Sequence, residues 1–295
     1  MLKTGFIGAG TTGTALAVRL SQKGWPVVAV SSRTLSSAQK LARRVSNCQA
    51  YPTTQELADV AEMVFITTPD DVIAEVCGKV QWHKGQSVLH CSGAHSVDIL
   101  EPAKKLGAAA GSFHPLQTFA DVDQAIKNLP GSTFALEAEE PLLSTLKELV
   151  HLLNGNWVRL GSGDKVLYHT AAVFACNYLV TLVKLALDLW KDFGVSSKEA
   201  TRALLPLLNG TLNNIDNIGV PDCLTGPIAR GDLGTIERHL RALDAKNPSL
   251  LTTYKELGLQ TIPIALAKGK VNEQKAEEMR ALLSLKRKQA KRLCT

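Results

Sequence analysis

No two of the six cysteines, Cys48, Cys77, Cys91, Cys176, Cys223 and Cys294, form a C-x-x-C pair. Thiols spaced so widely argue for a reducing compartment, and hence for a cytoplasmic protein, rather than for a disulfide framework. No secretory leader is expected either, because a strand is predicted to begin almost at Met1. Long apolar runs are scarce. The most apolar stretch, Thr170 to Val183, contains Asn177 and is soon followed by Lys184 and Asp188. It falls short of the ~18 apolar residues of a membrane span, so a buried helix is expected there. Internal repeats and low-complexity segments are absent. Lys and Arg are scattered except for Lys286-Arg287-Lys288 and Lys291-Arg292, and such runs are usually solvated helix surface rather than nucleic-acid contacts. What remains is an ordinary globular composition, 45% hydrophobic and 20% charged, which excludes disordered and collagen-like chains. The formal charge of +6 suits anionic ligands such as dinucleotides and carboxylates.

A chain of 295 residues accommodates two domains. The first half alternates short apolar runs with amphipathic stretches, the rhythm of βαβ units. Strands are predicted at Thr4–Ile7, Val27–Val30, Met63–Thr67, Ser87–His90, Ala109–Phe113, Ser132–Glu137 and Trp157–Leu160, and helices at Thr12–Lys23, Ser36–Val45 and about Pro141–Leu153. From Lys165 onward only helical patterns follow, and Gly161-Ser162-Gly163 punctuates the change. The expected fold is α/β: a Rossmann-type doubly wound parallel sheet over residues 1–160, then an all-α domain over 161–295.

Thr4 to Gly13 reads T-G-F-I-G-A-G-T-T-G, placing Gly8-x-Gly10-x-x-Gly13 between a strand and a helix. The first glycine permits a tight turn, the second lets backbone approach a pyrophosphate, and the third lets helix and strand pack closely. The helix start offers free N–H donors to phosphates, so Gly8, Ala9, Gly10, Thr11, Thr12 and Gly13 are expected to hold a dinucleotide. NAD-binding versions usually end the second strand with an acid that grips the ribose 2′-hydroxyl. Here that acid is missing and Ser31-Ser32-Arg33-Thr34 stands instead. Arg33 can bond a 2′-phosphate, with the hydroxyls of Ser31, Ser32 and Thr34 beside it, which favours NADP(H). The missing acid also weighs against a methyltransferase.

Ligands of such sheets bind beyond the carboxyl ends of strands. Three polar strand ends converge there: Thr67-Thr68-Pro69-Asp70, His90 to His95, which contains Ser92, and Ser112 to Gln117, which contains His114. Thr67, Thr68, Pro69 and Ser92 are assigned to the cofactor, Ser92 and Gln117 also to the substrate, and Asp70 reads as a helix cap. Hydride transfer to a carbonyl or imine needs a proton donor, and His114, Lys165 and His169 are the candidates, the choice among them open. Lys165 and His169, four apart, share one helix face. At ~100° per residue Asn177 lies about 80° round from His169, and it joins the substrate only if the helix end tilts inward. His90, Cys91 and His95 do not make a metal site, because neighbouring strand residues face opposite ways and no fourth ligand follows at zinc-like spacing. In Thr225–Asp232, Asp232 reads as an N-cap, while Arg230 either clamps a substrate carboxylate or pairs with a surface acid.

The motifs Gly8–Gly13, Thr67–Asp70, His90–Gly93, Ser112–Phe119 (S-F-H-P-L-Q-T-F) and Gly226–Asp232 (G-P-I-A-R-G-D) resemble those of bacterial oxidoreductases that pair a Rossmann-like domain with a helical domain of unknown function. The resemblance covers essentially the whole chain. More distantly the chain is similar to the superfamily of ketopantoate reductase, pyrroline-5-carboxylate reductase and 6-phosphogluconate or β-hydroxyacid dehydrogenases. Several of those carry a catalytic lysine early in the first helix of the helical domain and an asparagine four residues later. Lys165 falls at that position, with His169 where the asparagine stands. The resemblance implies NADP(H), a small keto or imino acid, a 6-phosphogluconate dehydrogenase-like C-terminal domain and a homodimer built through Lys165–Lys191, with ketopantoate-reductase-like activity the first expectation. The rival is a non-catalytic dinucleotide sensor or scaffold. Such a protein does not need His114, Lys165, His169 and Arg230 together, and this favours the enzyme.

Overall fold

The computed structural model describes residues 1–161 and 163–284, so Cys294 and the basic run from Lys286 lie outside the described residues. The chain divides into two compact units, Met1–Leu179 and Val180–Thr295.

The first unit carries β1 (Thr4–Ile7), α1 (Thr11–Gln22), β2 (Val27–Ser31), α2 (Leu35–Ala42), β3 (Gln49–Tyr51), α3 (Thr54–Val60), β4 (Met63–Ile66), α4 (Ile73–Lys79), β5 (Ser87–His90), α5 (Glu101–Lys105), β6 (Ala109–Leu116), α6 (Val122–Asn128), β7 (Thr133–Ala138), α7 (Leu142–Leu152) and β8 (Asn156–Arg159). These strands form one sheet in the order β3-β2-β1-β4-β5-β6-β7-β8. β3 was not among the predicted strands, and β6 runs three residues beyond Phe113. The sheet is the doubly wound, mostly parallel one expected, with β6–β7 its one antiparallel pairing. The reason lies in the connection, since β7 returns beside β6 after the short helix α6 and meets it head to tail.

Helices cover both faces of the sheet's middle, so β1, β4 and β5 are buried on both sides and read as near-continuous apolar runs, while the edge strands β3 and β8 are exposed or half-buried. Alternate residues feed two cores. Phe6, Met63, Phe65, Leu89, Phe113 and Phe134 face α1, α6 and α7, while Ile7, Val64, Ile66 and Val88 face α3, α4 and α5. The first core has an aromatic spine in which Phe6 stacks on Phe65 at 5.0 Å, Phe65 meets Phe113 edge-on at 5.7 Å, and Phe113 meets Phe134 at 4.8 Å. Removing one such ring costs about 3–5 kcal/mol, so the spine holds β1, β4, β6 and β7 in line.

The strands give way to helices after the glycines at 161 and 163. α8 (Lys165–Ala172) passes through one π turn, Val173–Asn177, into α9 (Tyr178–Lys191). This 27-residue stretch is long and apolar enough to cross a membrane, and none of its most apolar window is buried. The buried helix expected there is therefore corrected: Val166, Leu167, Phe174 and Val180 are each 66–76% exposed. The apolar residues run round most of the helix, and a single chain covers only one side of it.

The second unit continues with α10 (Ser197–Ile218), α11 (Pro227–Arg230), α12 (Leu233–Lys246), α13 (Leu251–Ala267) and α14 (Glu273–Ser284). A capping box between Ser196 and Glu199 starts α10. Ile236, Ile262, Ala265, Met279 and Leu283 of α12, α13 and α14 form its own core.

Candidate active site

β1 ends in a glycine turn whose geometry follows from three missing side chains. Gly8 has φ of +112°, a region open to glycine, and its N–H donates to the carbonyl of Ser31 at 2.8 Å. A Cβ on Gly13 would lie 2.3 Å from Thr67 Oγ1 and 2.5 Å from the Gly8 carbonyl, so only glycine lets α1 start this close to β1 and β4. A Cβ on Gly10 would meet nothing within 4 Å. Gly10 is exposed and caps α1 with no side-chain bond, and the first turn of α1 holds no acid. The turn is thus tight underneath and open above, with the positive end of the helix facing the opening.

The residues assigned to the cofactor divide into two groups. Thr67 is structural: its hydroxyl donates to the Gly8 carbonyl at 2.8 Å and ties β4 to the turn. Thr34 caps α2, accepting from the Ser37 N–H at 3.3 Å, so its hydroxyl is committed to the helix. Ser92 is committed as well, donating to Asp70 Oδ2 at 2.6 Å and accepting from the N–H groups of Ala94 and His95. Arg33 is exposed and Ser32 half-buried just past the end of β2. The hydroxyls of Ser31 and Thr68 are buried without a hydrogen-bond partner among the described residues. Asp70, expected as a helix cap, instead follows the capping residue Pro69 of a short 3-10 turn and holds Ser92. Its carboxylate reaches across to β5 because the ends of β4 and β5 are neighbours.

The chemistry gathers beyond β5 and β6. Lys165, the first residue of α8, is 1% exposed. Its Nζ donates to the Ser92 carbonyl at 3.1 Å and to Ser112 Oγ at 2.5 Å. Burial lowers its pKa to about 8, against the pull of Glu137, Cys91 and Asp70. One turn on, Tyr168 bonds His114 Nδ1 at 2.8 Å, and the rings of His114 and His169 meet edge-on at 6.3 Å. Gly93 makes room for both, since a Cβ there would lie 2.7 Å from His114 Nε2 and from His169 Nδ1. Burial, with Lys165 and His169 nearby, lowers the His114 pKa to about 3, so the ring is neutral near pH 7. His169 Nδ1 is buried with no hydrogen-bond partner among the described residues. Burial raises the Tyr168 phenol to about 12, leaving it a proton-bearing donor. His90 supports the loop from below. Its Nδ1 accepts from the Ser92 N–H at 3.1 Å and its Nε2 lies 3.2 Å from the Ser96 carbonyl, the neutral tautomer that its pKa of about 3 requires.

The structure brings Lys165, His169, His114 and Ser92 together. Gln117 does not join them. Its amide donates to the Asn128 carbonyl and Ser132 Oγ, and its oxygen accepts from the Thr118 N–H, so it braces the loop between β6 and α6. Asn177 is exposed at the end of the π turn, which adds a residue to the helical register and voids the angle reckoned from an ideal helix. Arg230 is exposed at the end of α11 in the second unit, where Asp232 caps α12 by accepting from the Thr235 N–H at 3.0 Å. Sequence reasoning missed Tyr168, Ser112 and Glu137. Tyr168 stands one turn from Lys165 and beside His169, and Ser112 opens the S-F-H-P run, so both carried a signal. Glu137 carried none, since one acid on a strand is ordinary.

Residues 1–115 match the family model of a Rossmann-like domain, and residues 132–261 match that of a domain of unknown function, DUF2520. No curated protein matches the sequence significantly. Among solved structures, a "putative NADP oxidoreductase" from Bacteroides fragilis is 26% identical over 88% of this chain and 97% of its own, with a TM-score of 0.71. A Thermotoga maritima protein is 26% identical over 90% and 99%, with a TM-score of 0.70. A Plasmodium falciparum pyrroline carboxylate reductase with NADP bound shares the fold at 14% identity, covering 96% and 98%, with a TM-score of 0.60. The chain joins a Rossmann-like domain to a domain of the DUF2520 family, as its motifs indicated.

Proposed function

We propose that this protein is an NADP(H)-dependent oxidoreductase acting on the carbonyl or imine carbon of a small keto or imino acid. One observation carries the reading: the open glycine turn on β1 and the Lys165–Ser112–His114–Tyr168 cluster lie at the same end of the adjacent strands β1, β4, β5 and β6. The residues fit the cofactor. Gly10 leaves space for a pyrophosphate, the first turn of α1 offers N–H donors, and Arg33 is exposed just past the end of β2, paired with no acid among the described residues. Ser31 and Thr68 bring two unpartnered hydroxyls to the same strand ends.

Bound nicotinamide supplies or receives the hydride. The chain's own part is to place the substrate and to move a proton. Lys165 is the donor best matched to neutral pH, because an acid works best when its pKa lies near the working pH. His114, held neutral, and Tyr168 serve as hydrogen-bonding groups for the reacting oxygen or nitrogen, with His169 Nδ1 available beside them. Relatives named as a pyrroline carboxylate reductase and as a reductive aminase in complex with NADPH favour this substrate class, and ketopantoate is the first keto acid to try. The exposed apolar residues of α8 and α9 support a homodimer, since contiguous exposed apolar surface marks an association site. Free cysteines suit a reducing cytoplasm.

The test is NADPH consumption over a panel of small keto acids, ketopantoate included, and cyclic imines, with Lys165→Met in parallel. Turnover that falls at least a hundredfold in the variant while NADPH still binds is the expected result. Saturable binding without turnover across the panel favours a dinucleotide sensor. Absence of saturable binding of either nicotinamide dinucleotide overturns both readings.

A further inference from the structure

We propose that Glu137 is a positioning residue of this site, the buried carboxylate that keeps the Lys165 side chain charged and directed at Ser112. Its importance for turnover rests on Lys165 being the proton donor, whereas its effect on the lysine does not.

Glu137 lies on β7 directly opposite Ser112 of β6 in the antiparallel pairing. Side chains of opposed residues project from the same face, with Cβ atoms ~4.5–5.5 Å apart. Lys165 Nζ donates to Ser112 Oγ at 2.5 Å, so ammonium and carboxylate lie on the same face of the sheet near this serine, without a direct ion pair between them. Glu137 is only 7% exposed, and its Oε2 accepts from the Val97 N–H at 3.1 Å. A carboxylate so buried is costly unless an opposite charge compensates it.

The groups facing Lys165 are Glu137, Cys91 and Asp70, which favour its charged form, and His90 and His114, which are neutral near pH 7. Burial raises the Cys91 thiol to about 12, so it carries no charge. Asp70 is exposed and already accepts from Ser92. Glu137 is then the one buried carboxylate among them. Burial holds the Glu137 carboxyl above its ordinary range, with smaller contributions from Asp98 and Asp164, while the Val97 N–H and Lys165 favour its charged form. It also lines a cavity of about 560 Å³ together with Asp98, Lys104, Glu139 and Arg159.

The experiment is a pH titration of the full chain labelled with 13Cε-lysine, read by NMR, with Lys165 assigned from Lys165→Arg. Glu137→Gln keeps the shape and can still accept from Val97. It is expected to lower the Lys165 midpoint from about 8 by about one unit or more, and Glu137→Asp to restore it to within about half a unit. The basic limb of the pH profile of kcat shifts down by the same amount. A Glu137→Gln midpoint equal to the parent's overturns the proposal. Should that variant fail to fold, an Asp70→Asn midpoint lowered by about one unit or more, with Glu137→Asp left at the parent's value, assigns the role to Asp70 and overturns it equally. The titration needs no turnover, so a chain without reductase activity refutes the proposed function and leaves the role of Glu137 to be decided by the midpoint.

Discussion

Alanine at Gly10 and alanine at Gly13 are expected to fail in opposite ways. At Gly13 the new Cβ sits 2.3 Å from Thr67 Oγ1 and 2.5 Å from the Gly8 carbonyl. Thr67 can rotate away, but the carbonyl is backbone, and the start of α1 must shift outward to clear it. Overpacking of this kind costs about 1–3 kcal/mol, which is roughly 2–12 °C in melting temperature at ~2–4 °C per kcal/mol. At Gly10 the Cβ meets nothing within 4 Å, and the backbone (φ −75°, ψ −174°) is one that alanine adopts freely. The fold then loses only the N-cap preference of glycine over alanine, on the order of 0.5–1 kcal/mol. Yet this Cβ fills the space that a pyrophosphate needs. NADPH affinity should fall at least tenfold, or ~1.4 kcal/mol. The assay is a thermal melt with and without NADPH, with affinity from titration. At 100 times the parent's Kd, ligand stabilises the parent by about 2.7 kcal/mol and a tenfold weaker variant by about half as much. Gly10→Ala stabilised by NADPH as strongly as the parent would refute the cofactor site, and Gly13→Ala melting with the parent would refute the packing argument.

Two further outcomes follow from the same geometry. Lys165 is lowered from 10.5 to about 8 by burial, so the unfolded chain holds its proton where the folded chain has lost it. The parent should therefore gain stability relative to Lys165→Met as pH rises from 8 towards 10.5, by up to about 3 kcal/mol, and a difference that stays flat in denaturant titrations across that window would contradict the buried ammonium. Leu167, 76% exposed on α8, tests the apolar face. Leu167→Glu is expected to leave the fold within ~0.5 kcal/mol and to convert a dimer into a monomer in sedimentation velocity, whereas a parent that sediments as a monomer removes the dimer.

The glycine turn, the strands that lead to it and the missing acid after β2 were legible in the sequence because they are local. A turn that only glycine can make and an apolar run bounded by polar residues mean much the same wherever the chain goes next. Lys165, His169 and His114 were legible as candidates for a weaker reason, that they stand at a strand end and at the start of the helices, although His83, His90, His95 and His151 of the first unit are also of a type that handles protons near neutral pH. Their environments were not legible. That Lys165 is buried beneath Ser92 and Ser112, that Tyr168 bonds His114, and that Gln117 braces a loop instead of facing the site all depend on contacts between residues far apart in sequence. The reversal at β7 belongs here too, because it alone sets Glu137 opposite Ser112. Burial and pairing are properties of the packed chain, and packing decides which of several equally plausible side chains carries a charge and which is neutral.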